Sequence, residues 1–143
     1  DYPMTANLIR CAREINDSMP DFVLRRAGEI MNERGITDPS KVGIYGLTYK
    51  EDVDDVRESP TLQMLESMET HLAGSACKVY DPWIGDDIVP HQVHSMDEFL
   101  ADVELVIVMV GHSELRDHLA DLDGVAVLDT RDVCGAGENI YKL

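Results

Sequence analysis

From Lys41 onward, short apolar runs alternate with longer amphipathic stretches. Four runs have the length and β-branched content of strands: KVGIYG, CKVYD, ELVIVMV and VAVLD. ELVIVMV is apolar on both faces, which predicts a central place in a sheet covered on both sides. Between the strands, Ser59 and Pro60 supply a cap and a first-turn residue for a helix, TLQMLESMETHL, that runs to Gly74. MDEFLADV predicts a short helix and SELRDHLADL another.

Strands that alternate with helices predict a parallel sheet with helices on both faces. Upstream the period is helical. Met4, Leu8, Ile9, Ala12 and Ile15 fall on one face. A second helix is expected from Pro20, carrying Phe22, Val23, Ala27, Ile30 and Met31, with Gly35 as its stop and TDPS as a turn. The expected fold class is α/β, a Rossmann-like doubly wound parallel sheet with a helical N-terminal lead-in. Residues 1–35 form the lead-in and 36–143 the α/β domain. The chain opens on Asp1 in mid-pattern, so the expectation is a piece of a longer protein.

Composition narrows the partners. The 143 residues carry 28 acids against 12 Lys and Arg, a formal net charge of −16 that disfavours nucleic acid and anionic membranes. An ordinary acidic domain and a protein of a high-salt cytoplasm both fit that charge. No apolar run is long enough to suggest a membrane span. Cys11, Cys77 and Cys134 are widely spaced, with no CxxC pair and no Cys/His ligand spacing, so no zinc site is expected. A reduced, cytoplasmic protein fits this cysteine usage.

One stretch resists the simple pattern. GLTYKEDVDDVRESP, residues 46–60, joins the first strand to its helix, where a few residues would serve. In an open parallel sheet, ligands bind beyond the carboxyl ends of the strands. The loops there are 46–59, 81–87, 111–113 and 129–139. That edge is where Lys50, Arg57, Asp81, His112 and Arg131 are expected. Three cations gathered on an acidic protein predict a local anion site, with Arg binding two oxygens at once and Lys supplying a compact charge. The helix after Pro60 adds free N–H groups.

Three familiar readings of this loop fail. Gly43 and Gly46 do not make GxGxxG, and the helix starts too late for a dinucleotide cradle. Counted from Asp52, a calcium loop would have Val56 and Arg57 where it needs an oxygen donor and a glycine. A phospho-receiver would want an acid after the third strand, where Gly111 and His112 stand.

GLTYKEDVDDVRESP, followed by VYDP and preceded by REINDSMP, resembles the C-terminal domain of the UDP-glucose/GDP-mannose dehydrogenase family. MVGHSEL and LDTRDV are most similar to its UDP-N-acetylmannosamine dehydrogenase branch. The resemblance covers nearly all of the chain. It implies an enzyme with an N-terminal NAD-binding domain, a helical middle that forms dimers, and this domain to hold the UDP part of the substrate. Such an enzyme oxidises a sugar C6 alcohol to a carboxylate in two NAD-linked steps through a catalytic cysteine. None of the three cysteines here has that cysteine's motif, so no catalytic residue is assigned and the domain alone is expected to be inactive.

Residue by residue, the resemblance implies that Tyr49, Lys50 and Arg131 bind the UDP-sugar and that Arg57 reaches the NAD held by the N-terminal domain. Family members often have Asn after the DxR arginine, where this chain has Asp132. Each residue has a plainer alternative. Tyr49 could cap the core edge, and Lys50 could neutralise Asp52 or Asp54. Arg57 could pair with Asp54, Asp55 or Glu58, and Arg131 with Asp129. His112 is expected to be structural and bonded to the loop backbone, and Asp81 to close a strand. UDP-N-acetylmannosamine is the expected substrate, with UDP-glucose as runner-up. A non-catalytic nucleotide-binding or assembly module is the alternative of another class. The expected assembly is a dimer or higher.

Overall fold

The computed structural model describes residues 19–48, 51–56, 59, 61–62, 65, 77–135 and 137–142. Tyr49, Lys50, Arg57, Cys11 and the first predicted helix lie outside the described residues, as does most of TLQMLESMETHL.

Helix α1, Met19–Arg34, ends as its sequence predicts. Gly35 takes φ +69°. Its N–H reaches the Asn32 carbonyl, and the Ile36 N–H reaches that of Met31. This is a Schellman closure, and the buried pair Ile36 and Met31 supplies its apolar contact.

Six strands form one parallel sheet. They are β1 (Val42–Tyr45), β2 (Lys78–Tyr80), β3 (Gln92–Val93), β4 (Leu105–Val108), β5 (Ala126–Asp129) and β6 (Ile140–Lys142), in the order β3-β2-β1-β4-β5-β6. The fold is α/β and Rossmann-like, with β1 and β4 at the centre. β3 and β6 were not foreseen, because these two edge strands are only partly buried and lack the apolar run that marks the others.

Period 2 sends alternate residues to opposite faces. Val42, Ile44, Leu105, Ile107, Ala126 and Leu128 share one core with Val23, Ala27, Ile30 and Met31 of α1. Tyr45, Tyr80, Val106, Val108 and Val127 share the other with Met96 and Phe99 of helix α2 (Met96–Leu100) and Leu115 of helix α3 (Ser113–Asp117). Ser95 caps α2 by accepting the Glu98 N–H at its hydroxyl, which in turn donates to the Glu98 carboxylate. Ser59 accepts the Leu62 N–H at 3.3 Å, and residues 61, 62 and 65 are helical, in keeping with the predicted cap.

SELRDHLADL is not one helix. α3 stops at Asp117, and Leu119–Leu122 is a 3-10 turn. The tighter turn still buries Leu122 on the side that holds Leu115.

Candidate functional site

Asp81 follows β2 and is buried. Its Oδ2 accepts the Leu47 N–H at 2.6 Å and the Thr48 N–H at 3.2 Å, across from the end of β1. Its Oδ1 accepts the Trp83 N–H at 2.8 Å. His112, also fully buried, follows β4 and places Nε2 at 2.9 Å from Asp81 Oδ2 and at 3.3 Å from Thr48 Oγ1. His112 Nδ1 accepts the Asp52 backbone N–H at 2.8 Å. A nitrogen that accepts carries no hydrogen in neutral imidazole, so Nε2 holds the proton and donates it to Asp81. The expectation that His112 bonds the loop backbone is met. Asp81 does more than close a strand, because it ties the ends of β1, β2 and β4 together.

Asp52 sits at φ +57° and is exposed, yet it is not a merely solvated acid. Its carboxylate accepts the Ser113 N–H at 2.9 Å and the Ser113 hydroxyl at 2.5 Å. These bonds, with one from the Trp83 side chain, hold it below the ordinary carboxylate range. The Trp83 ring is half exposed and lies 6.5 Å from the His112 ring, centre to centre. Thr48, Trp83 and Ser113 were not singled out in the sequence, and Asp52 was weighed there only as a calcium ligand or a partner of Lys50. Their partners lie some 30 to 60 positions away, and no local pattern encodes that.

At the end of β5, Asp129 has a parallel task. Burial pushes its pKa up, but the Lys142 ammonium at 2.8 Å and the N–H groups of Cys134 and Arg131 bring it below the usual range. It accepts the N–H groups of Arg131, Val133 and Cys134, and so shapes the loop that carries Arg131. The Arg131 side chain is exposed, and Asp129 takes only its backbone N–H. Among the described residues the guanidinium forms no ion pair. The pairing of Arg131 with Asp129 is thus replaced by Lys142, which also bonds Asp132 at 3.0 Å. Burial, then the Asp129 charge, pushes the Cys134 thiol up to about 12, so it stays protonated.

The loops after β4 and β5 touch. Thr130 donates its N–H and hydroxyl to the Val108 carbonyl, and Val133 packs against Gly111 so closely that a Cβ there would lie 2.6 Å from it. Below them, the Tyr45 and Tyr80 hydroxyls both donate to the Glu114 carboxylate, at 3.3 and 2.7 Å. Burial and that carboxylate raise both phenol pKa values.

The β1 edge does not fit a dinucleotide by itself. A Cβ at Gly46 would lie 2.7 Å from Val110, so this glycine faces packed protein rather than ligand space. Residues 47 and 48 spend their N–H groups on Asp81 rather than on a pyrophosphate.

Residues 43–136 match the sequence profile described as the UDP-glucose/GDP-mannose dehydrogenase family, UDP binding domain. The chain belongs to this family. It is 35% identical over 136 residues to the UDP-N-acetyl-D-mannosamine dehydrogenase of Methanocaldococcus jannaschii, covering 90% of this chain and 30% of the relative. It is 31% identical over 140 residues to the NDP-N-acetyl-D-galactosaminuronic acid dehydrogenase of Ralstonia nicotianae, covering 94% and 32%. The UDP-N-acetyl-mannosamine dehydrogenase structure from Staphylococcus aureus superposes with a TM-score of 0.67 at 32% identity, over 91% of this chain and 32% of that one. The chain thus spans about a third of the length of these relatives, and it corresponds to the family's UDP binding domain.

Proposed function

We propose that this chain is the nucleotide-holding part of an NAD-dependent UDP-N-acetyl-D-mannosamine 6-dehydrogenase. The enzyme takes the sugar C6 alcohol to a carboxylate in two oxidations. Tyr49 and Lys50 hold the UDP-sugar from one loop, and Arg131 reaches the diphosphate from another. Arg57 is assigned to NAD, which is bound mainly by an N-terminal domain of the same enzyme. No catalytic residue lies in this chain, so it is inactive alone. The complete protein is a cytoplasmic homodimer or larger assembly.

The observation that carries this reading is the Arg131 loop. A buried Asp129 shapes it through three backbone N–H groups, and its guanidinium is left exposed at the strand-end edge without an ion pair among the described residues. On a protein of net charge −16, such a cation is matched to an anion.

The test is calorimetric titration with UDP. Saturable binding that weakens with salt, and that falls about tenfold or more in Lys50→Ala and in Arg131→Ala, is the expected result. Binding unaffected by both substitutions would sink the assignment. Turnover of UDP-N-acetylmannosamine against UDP-glucose by the complete protein then identifies the sugar.

A further inference from the structure

In the sequence Tyr49 and Lys50 fall between Thr48 and Asp52, whose backbone N–H groups are held by one pair of buried side chains. We propose that Asp81 and His112 are a positioning pair for this loop, setting its affinity for a nucleoside diphosphate through the backbone on either side of it. The proposal rests on the nucleotide-binding reading above.

On the upstream side, Asp81 Oδ2 holds the N–H groups of Leu47 and Thr48. On the downstream side, His112 Nδ1 holds the N–H of Asp52. The two grips are joined, because His112 Nε2 donates to the same Asp81 oxygen at 2.9 Å. Asp81, His112 and Thr48 are all buried. Solvent therefore offers no substitute partner on the upstream side, where the grip keeps its full energetic weight, while the downstream bond is partly buried. A further bond secures the downstream side. The Asp52 carboxylate accepts from Ser113, the residue after His112, so side chain and backbone of Asp52 are fixed to the same short segment.

Only residues 49–51 separate Thr48 from Asp52. Chain reach is at most about 3.6 Å per residue, so the two anchors bound where these residues can go. Anchored ends lower the conformational entropy lost when the loop meets a ligand. The tautomer is part of the device. With a proton on Nδ1, the ring would set a donor against the Asp52 N–H and release the downstream grip.

Two substitutions separate the halves of the ring. Asparagine sets an amide oxygen where Nδ1 sits, so His112→Asn can keep the loop bond. Glutamine sets an amide nitrogen where Nε2 sits, so His112→Gln can keep the Asp81 bond and lose the loop. The experiment uses the full-length protein, with UDP affinity by calorimetry, exchange of the Asp52 amide hydrogen, and Tm for each variant. His112→Gln is expected to bind UDP roughly five- to tenfold more weakly, the equivalent of one lost hydrogen bond, with faster exchange at Asp52. His112→Asn keeps the Asp52 grip but loses the Asp81 bond, so its affinity is expected to fall less than that of His112→Gln, with Asp52 still protected. Losses of affinity in both variants that simply track Tm would assign His112 a packing role and overturn the proposal. Wild-type binding that His112→Gln leaves unchanged would overturn the positioning role alone. A wild-type protein that binds no UDP would overturn the nucleotide reading and this proposal with it.

Discussion

At the scale of single residues, Asp81 and Asp129 show how this domain uses buried carboxylates. Each follows or ends a strand, and each accepts three backbone N–H groups that no strand could satisfy. Each also has a charged or ring side-chain donor, His112 for Asp81 and Lys142 for Asp129. Removing the charge while keeping the shape tests this arrangement. Asp81→Asn would turn an amide NH2 toward donors on at least one side, leaving buried N–H groups unpaired. A loss of roughly 2–4 kcal/mol is expected, measured by denaturant unfolding. Asp81 and His112 were both visible in the sequence as strand-end residues. Their bond was not, because 31 positions separate them.

At the scale of elements, Gly46 connects β1 to its loop under two constraints. Its φ of +105° suits glycine, and a Cβ would lie 2.7 Å from both the Val110 backbone nitrogen and its Cβ. Gly46→Ala is expected to cost roughly 2–4 kcal/mol and to lower Tm, because neither the backbone nor the β4 end can yield cheaply. The sequence revealed α1, its glycine stop and four of the strands, because each carries an apolar pattern that can be read locally. It concealed β3 and β6, which exist because a neighbouring strand offers them pairs. It also concealed the break in SELRDHLADL, since Leu115, Leu119 and Leu122 keep helical spacing across it.

At the scale of the whole molecule, acid stability follows from the carboxylates held below their usual range. Bonds from Ser40 lower Asp38, bonds from Ser113 lower Asp52, and Lys142 with its neighbouring N–H groups outweighs burial at Asp129. A depressed folded pKa means that the unfolded chain binds protons first as pH falls. The stabilisation is therefore complete above about pH 5 and is lost as pH drops through the unfolded value near 4 and on to the folded one. Asp129→Asn is expected to lower Tm at pH 7 and to flatten the decline of Tm between pH 5 and pH 3. An acid limb as steep as the wild type's would show that Asp129 does not contribute to it.

The amino-acid sequence by itself determined the fold class, since hydrophobic period is a local property and alternating strand and helix admits few topologies. It also determined membership of the dehydrogenase family, because the fifteen residues of GLTYKEDVDDVRESP lie in one continuous run. Tertiary structure alone decided which groups meet. It joined Asp81 to His112, His112 to the Asp52 N–H and Asp129 to Lys142, and it left the Arg131 guanidinium exposed. The physical reason is that a parallel sheet brings the ends of β1, β2, β4 and β5 to one edge. Hydrogen bonds a few ångströms long then join residues whose separation along the chain carries no trace of the contact.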